Sequence, residues 1–121
     1  MRFFKRGEIA DSKFTFRDVV TGEAIDVNTP QYTIVYYDGP NEIEVVALSA
    51  LSKVLGKIGQ YVCSWEISDT AIENETYFVT AYGTHPVRAT LLTVDDMFRV
   101  IPISYFGDIS NGGMTAKFTK P

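Results

Sequence analysis

The sequence predicts an all-β fold, an antiparallel β-sandwich or small barrel of about seven to eight short strands. Three observations carry this. Runs rich in Val, Ile, Thr, Tyr and Phe alternate with period two, the signature of half-buried strands. Turn residues punctuate these runs at intervals of roughly 8–12 residues. No long helical pattern alternates with the strands, which excludes a parallel βαβ architecture.

The first run is Lys13–Asp18, with Phe14 and Phe16 on one face and a turn at Thr21-Gly22. Ala24–Val27 is a short second candidate, closed by Asn28-Thr29-Pro30. Gln31–Asp38 is a strong strand: Tyr32, Ile34 and Tyr36 share one face, and Thr33, Val35 and Tyr37 the other. Asp38-Gly39-Pro40-Asn41 turns the chain, because Gly supplies positive φ and Pro fixes its own. Glu42–Leu48 answers as the partner strand, with Glu42 and Glu44 on one solvent face. Between Ser49 and Gly59, Leu51, Leu55 and Ile58 follow a helical spacing interrupted by Gly56 and Gly59, which predicts one or two helical turns or an irregular crossover. Tyr61–Ile67 follows, with Tyr61, Cys63, Trp65 and Ile67 expected inside. Then come Thr76–Tyr82, Val87–Val94 and, beyond a turn at Asp95-Asp96, Met97–Ile103.

At 121 residues the chain fits one domain with a sizeable core. We divide it into an N-terminal arm at 1–12, a sandwich at 13–103 and a C-terminal arm at 104–121. The two ends are basic: Arg2, Lys5 and Arg6 give +3, and Lys117 and Lys120 give +2. Of a net −4, residues 7–116 therefore carry −9. Such a body repels phosphates, so no nucleic-acid partner is expected. Basic ends could instead reach an acidic neighbour. The N-terminus carries charge where a signal peptide would be apolar, and no apolar run is long enough to span a membrane, so no membrane association is expected.

The chemistry of catalysis is thinly supplied. One Cys and one His exclude an intrachain disulfide and a Cys/His zinc site. Cys63 alternates with core residues and reads as structural; His85 lies in a turn beside Pro86. Asp69, Glu73, Glu75, Asp95 and Asp96 are acidic enough to raise calcium or a carboxylate dyad, but form no regular ligand loop and read as solvated loop acids. Asn74-Glu75-Thr76 is a glycosylation sequon, read as chance. No cofactor and no enzyme activity is expected.

The aromatic content is 13%, and it falls into three groups. One fills the sandwich, with Trp65 near its centre. A second, Tyr37, Phe78 and Tyr82, lies on outward strand faces, to be covered by the chain's own terminal arm or a subunit contact, or else to stack on a sugar. A third, Phe3, Phe4, Tyr105 and Phe106, joins Met114 and Phe118 on the arms as candidate protein-interface anchors.

The run Gly59-Gln60-Tyr61-Val62-Cys63-Ser64-Trp65-Glu66-Ile67, followed by Glu75-Thr76-Tyr77-Phe78-Val79-Thr80-Ala81, resembles a signature of Ig-like sandwich domains. Upstream, Asp18, Thr21-Gly22 and Asp26 resemble the opening turn of such domains. The similarity covers roughly residues 13–101. It extends to macroglobulin-type and bacterial surface Ig-like modules and to small virion proteins of tailed bacteriophages. Asn74 and Glu75 stand where the turn glycine is usual. A single sandwich with arms is most similar to the phage proteins. The resemblance implies an Ig-like sandwich and a structural virion role at head, neck or tail, assembled in the host cytoplasm. Its partners would be other copies of itself or other virion proteins. The alternative is a carbohydrate-binding or adhesion module using Tyr37, Phe78 and Tyr82 on a host-surface glycan.

Overall fold

A computed structural model describes residues 1–102. Tyr105, Phe106, Met114, Phe118 and the C-terminal arm lie outside the described residues.

Among the described residues the fold is all-β, in two sheets. The strands are β1 (Arg2–Phe4), β2 (Ile9–Thr15), β3 (Asn28–Asp38), β4 (Asn41–Ala50), β5 (Ser52–Lys53), β6 (Gln60–Glu66), β7 (Glu75–Thr84) and β8 (Leu91–Val100). The larger sheet has the order β1-β8-β7-β3-β4 and the smaller β2-β6-β5. Within them only β1 and β8 run parallel.

Period-two alternation sends one face of each sheet inward. The larger sheet contributes Tyr32, Ile34, Tyr77, Val79, Ala81, Phe98 and Val100; the smaller contributes Ala10, Phe14, Tyr61 and Cys63. Together they form one core between the layers, a sandwich-like arrangement. Tyr77 stacks on Phe98 with centroids 5.6 Å apart, and Trp65 tilts against both at 5.5 and 5.9 Å. The centre therefore belongs to Tyr77 and Phe98, whereas Trp65 is only half-buried at its margin. Two buried tyrosines keep their hydroxyls partnered: Tyr61 accepts from the Val27 N–H and Tyr77 from the Ile72 N–H, each at 3.0 Å. Such partners remove the cost of an orphaned buried hydroxyl.

Several expectations change. Residues 1–12 are no free arm. β1 zips onto β8, the Phe4 ring meets Phe98 edge-on at 5.6 Å, and β2 begins at Ile9 and pairs with β6. The basic residues there are engaged within the chain's own body. Arg2 pairs with Asp96 at 2.6 Å; Arg6 donates to the Ala71 carbonyl at 2.7 Å and lies 3.6 Å from Glu73. Asp95-Asp96 is no turn, because β8 runs straight through it. Asp95 points outward, while Asp96 points inward and is held by Arg2 and Ser12, whose hydroxyl donates at 2.8 Å. The turn falls earlier, over 86–90, so Val87–Thr90 is not strand. Ser49–Gly59 holds no helix; it completes β4, forms β5 and then turns. Ala24–Val27 contributes a single bridge, Ala24 to Arg17.

One margin of the larger sheet is β4, the other the short β1. The pairing of β4 with β3 slips twice, between Tyr32 and Ile34 and between Ile34 and Val35, so the strand is bulged midway along its length. Bulges on a margin discourage edge-to-edge pairing with another chain. At Asn74, just before β7, the backbone takes a left-handed φ of 64°, a region that Asn tolerates.

Candidate interaction face

The outward face of the larger sheet follows from the same alternation that builds the core. On β3 the outward residues are Thr33, Val35 and Tyr37; on β7 they are Phe78, Thr80 and Tyr82. On β8 they are Leu91, Thr93, Asp95, Met97 and Arg99. Phe3 stands beside Arg99 from β1, and Glu42 and Glu44 stand beside Tyr37 and Val35 from β4.

Register sets these side chains in rows across the strands. Met97, Phe78, Val35 and Glu44 form one row. Asp95, Thr80 and Thr33 form the next, and Thr93, Tyr82 and Gln31 the one beyond. Tyr37 and Phe78 meet edge to face, centroids 5.5 Å apart and planes at 68°. The Tyr37 hydroxyl donates to the Glu42 carboxylate at 3.3 Å, and that carboxylate's charge raises the phenol above its usual pKa.

The three aromatics expected on outward faces therefore come together. They line an open concavity of about 550 Å³ with Val35, Met97, Glu42 and Asp95. A second hollow of about 390 Å³, lined by Gln31, Thr33, Leu48, Tyr82 and Leu91, continues it along the sheet. Exposure is substantial for a surface this apolar: Tyr37 45%, Met97 43%, Leu48 53%, Leu91 65%. Of the two N-terminal anchor residues, Phe3 joins this face, 56% exposed, whereas Phe4 belongs to the core. Met97, Leu48 and Leu91 escaped the sequence reading. The signal for Met97 was its place two residues from Asp95 and Arg99 on one continuous strand, hidden once Asp95-Asp96 is taken as a turn.

The reactive side chains lie elsewhere and are committed to structure. Burial pushes the Cys63 thiol up to about 11, so it is no nucleophile at neutral pH. His85 and Asp18 are both buried where the 17–24 loop meets the 84–90 turn. His85 Nδ1 accepts from the backbone N–H groups of Val87 at 3.1 Å and Arg88 at 3.0 Å. The ring proton therefore sits on Nε2 and is donated to Asp18 Oδ2 at 3.1 Å. Asp18 also accepts from the Val20 N–H at 2.8 Å and pairs with Arg88. The Val20 N–H first, then His85 and Arg88, hold its carboxyl well below the usual aspartate value. Both imidazole nitrogens are thus occupied in joining two loops, and neither has a lone pair free for a substrate proton. Among the described residues, no three His, Cys, Asp or Glu side chains converge as a metal site.

Comparison of the chain with protein-family models, with curated proteins and with solved structures finds no match in any of the three.

Proposed function

We propose that this chain is a structural assembly subunit, an Ig-like sandwich of the kind used in tailed-phage virions, and that it docks through the outer face of its larger sheet. One observation carries the reading. An aromatic and aliphatic row, Met97, Phe78 and Val35 with Tyr37 beside it, lies on one outer face, and a polar row of Asp95, Thr80 and Thr33 separates it from Tyr82, Leu48 and Leu91. Patches of this kind on a stable domain mark a surface that another molecule covers. The acidic body and the resemblance of residues 13–101 to phage Ig-like proteins support the virion setting. The test is genetic. Phe78→Asp, supplied in place of the native gene of a phage encoding this chain, should leave a folded protein that mass spectrometry no longer finds in purified particles. Particles that incorporate the variant normally would remove the face from assembly.

A second reading has its own observation. Tyr37, Phe78 and Tyr82 share a concavity with two carboxylates, Glu42 and Asp95. Aromatic rings beside hydrogen-bonding acids suit a sugar, as a carbohydrate-binding or adhesion module requires. A glycan array probed with native chain and with Tyr37→Ala separates the two readings. No response from the native chain eliminates the sugar.

A further inference from the structure

We infer that the molecule seated on this face is a second copy of the same chain, packed face to face about a two-fold axis parallel to the strands. The inference rests on the reading of the face as an assembly surface and adds the partner and its geometry.

The argument is one of self-complementarity. Arg99 lies on β8 and Glu42 on β4, near opposite margins of the sheet. Arg99 pairs with Thr76, and Glu42 with Tyr37. Thr76 and Tyr37 lie two residues on from the paired Phe78 and Val35, so Arg99 and Glu42 stand at the same height along the strands. A two-fold axis along the strand direction, passing between β7 and β3, places β8 of one copy over β4 of the other. Each Arg99 then faces the other copy's Glu42, giving two opposite-charge pairs at the rim. An axis across the strands would set β4 over β4 and β8 over β8, so no Arg99 would face a Glu42.

The same operation settles the middle of the interface. β7 lies over β3, so Phe78 faces Val35 and Tyr82 faces Gln31, while in the same row Met97 on β8 faces Glu44 on the exposed β4 margin. Each large ring meets a smaller or more flexible side chain, the pattern that lets two sheet faces interdigitate about 10 Å apart. Glu42 keeps a donor on its own chain in Tyr37, so the pair with Arg99 leaves no carboxylate oxygen isolated as water is excluded.

The full-length chain in sedimentation equilibrium tests this. The native chain should be a dimer. Arg99→Glu and Glu42→Arg should each raise the dimer dissociation constant at least about tenfold through like-charge contact. The double exchange R99E/E42R should restore native dimerisation. Thermal melts identify any variant that has lost its fold, and the rescue is read only from folded protein. A monomeric native chain overturns the inference. So does a folded double exchange that stays monomeric. If Phe78→Asp abolishes a dimer that the charge exchange fails to rescue, the face assembles in another geometry: the assembly reading stands and this inference falls. If the native chain is monomeric yet hydroxyl-radical footprinting shows Phe78 and Tyr82 shielded, the cover is residues 103–121 of the same chain, and the two-fold partner is again excluded.

Discussion

The two outer faces of the molecule share a backbone logic and differ in what they display. The smaller sheet shows water Asp11, Lys13, Ser64 and Glu66, with one exposed aliphatic, Ile9, at its end and Val62 half-buried among them. The larger sheet shows Phe3, Tyr37, Phe78, Tyr82 and Met97, packed around a buried Val35. Both lie one pleat away from the same core, so both could have been polar at no expense to packing. The first face is built to stay wet and the second is not. The inner residues of a strand report the fold, and the outer residues report what the fold is for.

The largest effect should come from breaking what both faces share. Phe98→Ala removes a ring packed against Phe4, Trp65 and Tyr77, and should destabilise the chain by about 3–5 kcal/mol in urea titration. Next is Gly83→Ala. An added Cβ would lie 2.4 Å from Val27 Cγ2, and overpacking of that kind should lower stability by about 1–3 kcal/mol on the same titration. A third test uses acid. The Asp18 carboxyl is depressed in the folded state, so its contribution is complete above the ordinary aspartate value of 3.8 and is lost as pH falls below it. The urea midpoint of the native chain should drop across that window, and Asp18→Asn should have a lower midpoint at neutral pH and a shallower drop. The comparison itself is sharpened by paired surface variants. Phe78→Ala and Lys13→Ala should each change stability by no more than about 1 kcal/mol, yet only Phe78→Ala should impair assembly by sedimentation. The smallest effect is at Ala89, whose φ of 60° is left-handed: Ala89→Gly should raise stability by about 1 kcal/mol or less.

Much of this was legible in the sequence, for a physical reason. Gln31–Asp38 and Thr76–Tyr82 alternate cleanly, because a strand between two hydrogen-bonded neighbours has one face in the core and one face out. That alternation alone places Tyr37, Phe78 and Tyr82 outward. The failures share a different cause. Asp96 looks like a turn residue because an aspartate inside a strand's inner face is costly unless paired, and its partners Arg2 and Ser12 are more than eighty residues away. Arg2 and Phe4 look like an arm because three residues are too few to show a period, and only β8 reveals them as a strand. The grouping of Phe78 with Met97 and Glu44 depends on register, which is a property of pairs of strands and is invisible in either alone.

The pairing of β1 with β8 also bears on how the molecule comes into being. β1 has β8 as its sheet neighbour, so the first described strand must wait for the last described one. Contacts between residues 2–4 and 98–100 close nearly the whole described chain into one loop. Loops of that length form late, and folds dominated by distant pairings are slow to reach their native state. During that interval the aromatic face of β3 and β7 can already exist while the margin beside it is unfinished. Order of synthesis thus sets order of exposure, and a nascent chain should need protection from its own kind until β1 and β8 have met.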